Sequence, residues 1–245
     1  MLPPKTDKVW NFLQEQPALA GFVLVGGSAL ALRIDHRRSE DLDLLFPGAT
    51  LPRARLDAFL RIAAEAGFDF QRDDNEAALH EFSQGGIELH DHQQDFLVNR
   101  VVKMSFFTPD ATQMKVFSAR SECRVRIATL AELFASKSLV SATRSKSRDW
   151  LDLYLLMRDH GFSIRDYQAV FRDAGVSSQC AMGLSRLCSG VPQRDDEGYE
   201  HLLANPPTVE EMTAFFAEQR NRLEIESAAN ALRSRGSSGD SQLDR

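Results

Sequence analysis

VGGSALALRIDHRRSEDLDLLF, residues 25–46, is the stretch on which the reading of this chain turns. It follows a short apolar run, GFVLV at 21–25, as expected of a buried strand. Gly26 and Gly27 carry no side chain, so backbone N–H groups there can approach a ligand closely. A helix starts near Ser28 and runs through Ala29 to Ile34, and helix N-termini hold anions through unpaired N–H groups and the helix dipole. A phosphate bound there would find the Ser28 hydroxyl as an additional donor. The next strand, 41–46, puts Leu42 and Leu44 on one face and Asp41 and Asp43 on the other. Two neighbouring carboxylates repel each other unless a cation sits between them. The usual occupant is Mg2+ (or Mn2+), a hard ion that combines carboxylates with phosphate oxygens. A glycine turn before a helix is common by itself, and so is Asp-x-Asp on a strand. Their succession as strand, GGS, helix and acidic strand is specific, and supplies the parts that metal-assisted phosphoryl or nucleotidyl transfer needs.

Outward from this segment, the pattern predicts a first helix over 6–15, ended by Pro17, and an amphipathic helix over 52–66, stopped by Gly67. Alternation at 68–72, 78–90 and 99–107 predicts antiparallel strands, with a turn at Gly85-Gly86 and a polar loop over 90–95. After about residue 128 the pattern becomes helical. Thr129 with Glu132, Ser163 with Asp166 and Thr208 with Glu211 have capping-box spacing. The expected organisation is α+β: a core with a mixed sheet and flanking helices over 1–127, a helical lobe over 128–233, and a disordered polar tail over 234–245.

The chain has 245 residues, 43% of them hydrophobic and 26% charged, with a net charge of −6. No stretch has the length needed to span a bilayer, the first residues lack the layout of a signal peptide, and the cytoplasm is the expected compartment. Cys123, Cys180 and Cys188 show no CxxC spacing, which argues against a disulfide framework or a zinc site. Within this acidic chain, residues 120–148 hold seven Lys or Arg against two Glu. If 129–148 is one helix, Lys137, Ser141, Arg144 and Arg148 share a face, a stripe suited to phosphates. The segment reads equally as a solvated helix face. Arg144, Lys146 and Arg148, with Arg120, Arg124 and Arg126, are the candidate RNA-binding residues. Trp150, Leu153, Tyr154 and Met157 recur at helical spacing and read as core rather than as a stacking platform.

GGSALALRIDHRRSEDLDL resembles the first motif of the DNA polymerase beta-like nucleotidyltransferase superfamily. Its string His36-Arg37-x-Ser39-x-Asp41-Leu42-Asp43 is similar to the AbiEii/AbiGii-like toxins of abortive-infection and toxin–antitoxin systems. LAELFASKSLVSATRSKSRDWLDLYLLM (130–157) is similar to the later Lys and Arg-Asp-x-x-Asp-Leu motifs of that family. The likeness covers roughly 20–160; nothing in 165–245 adds to it. The resemblance implies a polymerase-beta-like lobe followed by a helical one, and an enzyme that moves a nucleoside monophosphate from an NTP, ATP among them, to a hydroxyl. Residue by residue it implies that Gly26, Gly27 and Ser28 hold the triphosphate and that Asp41 and Asp43 bind catalytic Mg2+. Lys137 would contact nucleotide phosphate, and Asp149 would help organise the site beside Arg148; Arg37, by its own place just before the acidic strand, is a further candidate for a phosphate contact. In the resembling toxins the acceptor can be the 3′ end of a tRNA, and an antitoxin is the implied protein partner.

One departure stands out. The superfamily usually carries a third carboxylate on a neighbouring strand, and the aligned position in VVKMSFF (101–107) is Ser105. Glu88 and Asp91 are the available substitutes. A weakened or inactive nucleotide- or RNA-binding member is therefore a second reading, and an enzyme that nucleotidylates protein hydroxyls is a third. His36 reads as fixing its loop rather than as a general base, and His90-x-His92 lacks a third metal ligand.

Overall fold

The computed structural model describes residues 1–117 and 124–239. Arg120, Cys123 and the tail from 240 onward lie outside the described residues. The elements run α1 (Pro4–Leu13), β1 (Val23–Val25), α2 (Gly26–Ile34), β2 (Leu42–Leu45), α3 (Arg53–Glu65), β3 (Phe70–Arg72), α4 (Glu76–Gln84), β4 (Gln93–Val98) and β5 (Val102–Phe107). They continue through α5 (Gln113–Val116), β6 (Arg126–Ile127), α6 (Leu130–Ser141), α7 (Ser147–Asp159), α8 (Ile164–Asp173), α9 (Cys180–Leu187) and α10 (Val209–Gly239). The α+β class expected from the sequence holds.

The strands form one mixed sheet of order β3-β4-β5-β2-β1-β6. The register pairs Val25 with Asp43 in the antiparallel β1–β2 ladder and Asp43 with Ser105 in the parallel β2–β5 ladder. One face is apolar: Leu42, Leu44, Val102, Met104, Phe106, Phe96 and Val98 are buried. The buried side chains of α1 (Val9, Trp10, Leu13) and α3 (Leu56, Phe59, Ala63) complete this core. Phe106 makes edge-on contacts with Phe22, Phe59 and Phe96, a geometry that aromatic rings favour. Burying this face leaves Asp43, Ser105 and Asp95 on the other side of the pleat.

Several segments differ from the sequence expectation. Residues 78–90 are not a strand: 76–84 form α4, and Gly86 in the left-handed region (φ 70°) ends it, with Ile87 N–H donating to Phe82 C=O. The loop expected at 90–95 instead leads into β4. Asn99 and Arg100, both at positive φ, close the β4–β5 hairpin, a turn whose hand matches the strand twist. The single helix expected over 129–148 is broken between Ser141 and Ser147.

The chain divides into two compact units, 1–136 with 200–204 and 137–199 with 205 onward. The division falls inside α6 rather than at 127/128. The first turn of α6 is tied to the sheet unit, because Arg126 donates to both Glu132 carboxylate oxygens at 2.7 Å. In the helical unit, α7 is the buried element. Trp150, Leu153, Tyr154 and Met157 are all interior, as their spacing suggested, and Tyr154 packs edge-on against Phe215 of α10 at 5.1 Å. All three capping boxes form, each with its Ser or Thr oxygen accepting from the backbone three residues on. The tail expected to be disordered from 234 is helical to Gly239 as the end of α10. Among the described residues, no helix is long and apolar enough to cross a membrane. Cys180 and Cys188 are free thiols.

Candidate active site

The first motif folds into a closed local arrangement. Val25 precedes α2 in extended geometry and gives it no side-chain cap, so the first-turn N–H groups of Gly26, Gly27 and Ser28 have no intrahelical acceptor. Gly26 sits at φ +70°, a conformation that side chains disfavour, and a Cβ there would collide with Asp43 Oδ2. The helix N-terminus and the Asp43 carboxylate therefore touch because residue 26 has no side chain. A Cβ at Gly27 would lie 2.5 Å from Arg37 Nη2 and 2.9 Å from Ser39 Oγ. Arg37 is buried, and its Nη1 donates to Arg38 C=O at 3.0 Å.

Ser28 differs from its expected role. Its hydroxyl is buried, donates to the Asp41 carbonyl and lies 3.1 Å from Ser39 Oγ. It ties α2 to the acidic strand rather than presenting a free hydroxyl to a phosphate. Asp41 is exposed just before β2, and Asp43 is half-buried within it. Two hard oxygen donors two residues apart, with the Gly26 cradle against one of them, fit Mg2+ or Mn2+. Gly26→Ala is expected to cost about 1–2 kcal/mol in the left-handed backbone. It also pushes the Asp43 carboxylate away, so affinity for Mg2+–NTP, measured by calorimetry, falls more than the melting temperature does.

The residues of the later motif assemble within the helical unit. Lys137 Nζ lies 2.6 Å from Asp149 Oδ1 and 2.8 Å from Asp152 Oδ2, and Arg144 Nε lies 2.8 Å from Asp149 Oδ2. Lys137, Asp149 and Asp152 are all buried. Burial raises the Asp149 carboxyl, but the charges of Lys137 and Arg144 and their hydrogen bonds outweigh it, and the group is held below the ordinary carboxylate range. The depressed folded value means that Asp149 stabilises the fold fully above its unfolded pKa of about 3.9. That contribution is lost as pH falls through the folded value. Thermal stability should therefore fall steeply below about pH 4, and the slope should flatten in Asp149→Asn.

The stripe expected along one helix does not form, because Arg144 and Lys146 lie in the break before α7. Ser141 points inward to Tyr167 Oη at 2.7 Å. Arg144 pairs with Asp149, Lys146 Nζ lies 3.9 Å from Asp195, and Arg148 Nη1 lies 2.8 Å from Glu197. Arg144, Lys146 and Arg148 thus each have an acidic neighbour.

The register confirms Ser105 as the immediate neighbour of Asp43. Neither proposed substitute stands in that row: Glu88 is exposed ahead of β4, and Asp91 is held by Arg53 at 3.1 Å. Asp95 does, as the Cα partner of Ser105 on its other side. Reading 90–95 as a loop hid it; the signal was the alternation in QQDFLV, where Gln94, Phe96 and Val98 are buried and Asp95 is not. His90 Nε2 is 3.0 Å from Asp74, and His92 Nδ1 is 3.4 Å from Thr108 Oγ1, so the two histidines serve separate contacts. No group of three or more His, Cys, Asp or Glu able to hold a metal occurs among the described residues.

Residues 11–239 match the family model described as "Nucleotidyl transferase AbiEii toxin, Type IV TA system". The match reaches well past 160, where the likeness visible in the sequence stopped. An uncharacterised protein of Aquifex aeolicus (strain VF5) is 24% identical over 151 residues, which is 62% of this chain. The chain spans 65% of the length of that curated relative. Among solved structures, a protein of H. pylori described as a candidate nucleotidyltransferase aligns with TM-score 0.49 at 18% identity, covering 90% of this chain and 96% of the other. MenT4, a nucleotidyltransferase toxin of Mycobacterium tuberculosis H37Rv, aligns with TM-score 0.49 at 14% identity, covering 93% and 92%.

Proposed function

Because this chain belongs to the nucleotidyl transferase AbiEii toxin family, we propose that it transfers a nucleoside monophosphate from an NTP to a hydroxyl of RNA, with the 3′ end of tRNA as acceptor. The observation that carries this reading is the contact of the uncapped α2 N-terminus with Asp43 across Gly26. An anion site and a cation site are thereby set side by side, as a metal–triphosphate complex requires.

Each group has a definite task. The first-turn N–H groups of Gly26, Gly27 and Ser28 bind phosphate oxygens, and the Arg37 guanidinium beside Gly27 adds fixed positive charge. The Ser28 hydroxyl holds the Asp41 backbone in place, so its side chain acts by positioning. Asp41 and Asp43 would hold Mg2+ or Mn2+, which when bound would offset the charge that builds at the α-phosphate during nucleotidyl transfer. Most of the rate enhancement then comes from positioning and electrostatics rather than from covalent chemistry by the protein. Lys137 and Asp149 form a separate buried charge cluster. Since Lys137 Nζ is held by two carboxylates, a phosphate contact from it requires exchange of one of them. Arg144, Lys146 and Arg148 serve RNA only by exchanging their present carboxylate partners in the same way. The toxin role implies action in the cytoplasm and control by a cognate antitoxin.

Ser105 opposite Asp43 favours one second reading, a member that binds nucleotide without transferring it. Both are tested by incubating the protein and its Asp41→Ala/Asp43→Ala variant with Mg2+, each α-labelled NTP, total tRNA and lysate protein. Label on tRNA from the wild type alone supports the proposal. Label on protein changes the acceptor. NTP binding without label on either supports the binding-only reading.

A further inference from the structure

Within the helical unit, the loop that follows α9 matches the start of α7 residue for residue. Asp195, Asp196 and Glu197 stand against Lys146, Ser147 and Arg148 in that order. Lys146 Nζ lies 3.9 Å from Asp195 Oδ2, and Arg148 Nη1 lies 2.8 Å from Glu197 Oε2. Between them, the Asp196 carboxylate accepts from Ser147 N–H at 2.9 Å and from Ser147 Oγ at 2.6 Å. It thus fills the anion site at the N-terminus of a 13-residue helix. Neutral contacts hold the loop as well. Gln193 N–H donates to Ser145 C=O at 2.8 Å, Ser145 N–H donates to Gln193 Oε1 at 3.0 Å, and Arg148 Nε donates to Gly198 C=O at 2.9 Å. The Asp195 and Glu197 side chains are 74% and 60% exposed, whereas those of Lys146 and Arg148 are 29% and 26% exposed. Exposed ion pairs add little to stability, so these two carboxylates are dispensable for the position of the loop. What they change is the charge presented at the two cations.

We propose that the Asp195-Asp196-Glu197 segment is a built-in competitor for RNA phosphate; this rests on the reading of Lys146 and Arg148 as contacts for an RNA acceptor. Three consecutive acidic side chains occupy three adjacent anion-binding positions, as consecutive phosphates of a strand would. Asp196 stays in place as the cap of α7. Asp195 and Glu197 are the exchangeable pair: RNA phosphates displace their carboxylates into solvent and take over Lys146 and Arg148. The displaced carboxylates regain counterions, which offsets part of the counterion release that drives RNA binding. A small anion displaces one pair for one contact, whereas a strand reaches both cations in one binding event. The segment therefore selects against lone anions and for a polyanionic strand.

The test measures binding of fluorescently labelled tRNA to the full chain by anisotropy, without NTP, over a range of salt concentrations. Asp195→Asn/Glu197→Gln is expected to tighten binding on the order of tenfold, the scale of two exposed ion pairs. The slope of log K against log salt is expected to steepen by about 1–2, as two phosphate contacts now release counterions in full. Asn at 195 keeps the acceptor that Gln193 Nε2 uses at 2.6 Å, so melting temperature and Mg2+–NTP binding stay at wild-type values. Adding Lys146→Gln and Arg148→Gln abolishes the gain. Asp57→Asn/Glu65→Gln makes the same change in net charge at exposed positions of α3, and an equal gain there overturns the proposal. Unchanged affinity and slope in Asp195→Asn/Glu197→Gln overturn it while leaving RNA as the acceptor, as does a gain that survives the loss of Lys146 and Arg148. Failure of both the wild type and the variant to bind tRNA removes the RNA reading first and the proposal with it.

Discussion

Asp43→Asn is expected to reduce label transfer by at least about 10³-fold, since a metal at the reacting phosphate contributes several kcal/mol and each 1.4 kcal/mol is about tenfold in rate. The effect is large because Asp43 is the convergence point of the site. It lies opposite Val25 in the β1–β2 ladder, beside Ser105 in the β2–β5 ladder, and against Gly26 at the start of α2. The substitution keeps shape and volume and removes only the charge. The core face beneath it, built from Leu42, Leu44 and Phe106, is untouched. The melting temperature should therefore stay within a few degrees of wild type, and a collapse of activity with intact folding is the expected signature. Mg2+-dependent NTP binding, followed by calorimetry, should weaken in parallel.

The second large effect falls on stability. Lys137→Met leaves Asp152, fully buried, without its ammonium partner at 2.8 Å, and leaves Asp149 with Arg144 alone. Breaking a buried ion pair from one side costs about 3–5 kcal/mol, because the remaining charge stays desolvated. For a protein of this size that corresponds to a fall in melting temperature on the order of 10 °C. Adding Asp152→Asn removes the stranded charge and should recover a substantial part of the loss. That non-additivity, measured as a double-mutant cycle by thermal or urea unfolding, separates an ion-pair effect from simple loss of packing. Equal losses in the single and double variants would contradict it.

Much of the site was legible because local rules govern it. Period-two alternation placed Leu42 and Leu44 inward and Asp41 and Asp43 on the other face, and the Gly-Gly-Ser start of α2 follows from the backbone freedom of Gly26. The capping boxes at Thr129, Ser163 and Thr208 are equally local. The misreadings arose where tertiary context decides. Residues 78–90 alternate as a strand would, yet Glu76–Gln84 packs as a helix ended by Gly86. The polar residues of 90–95 read as a loop, though Phe96 and Val98 pin the same segment into β4, and with it went the chance of seeing Asp95 beside Ser105. Spacing alone made a basic stripe of Lys137, Ser141, Arg144 and Arg148. The break between α6 and α7 dissolves it, and the buried carboxylates of Asp149 and Asp152 take the lysine. A hydroxyl one residue past Gly27 looked like a phosphate donor, and only the fold reveals that Ser28 is turned inward to Asp41. Pairings across tens of residues, such as Arg148 with Glu197, have no local signature.

The measurement that bears most directly on the Asp41–Asp43 centre compares α-labelled and γ-labelled NTP in parallel reactions with Mg2+ and total tRNA. Nucleotidyl transfer puts the α-label on RNA and releases the γ-label in pyrophosphate, with neither event in the Asp41→Ala/Asp43→Ala variant. Appearance of the γ-label on the acceptor, or transfer that survives loss of both carboxylates, would contradict it.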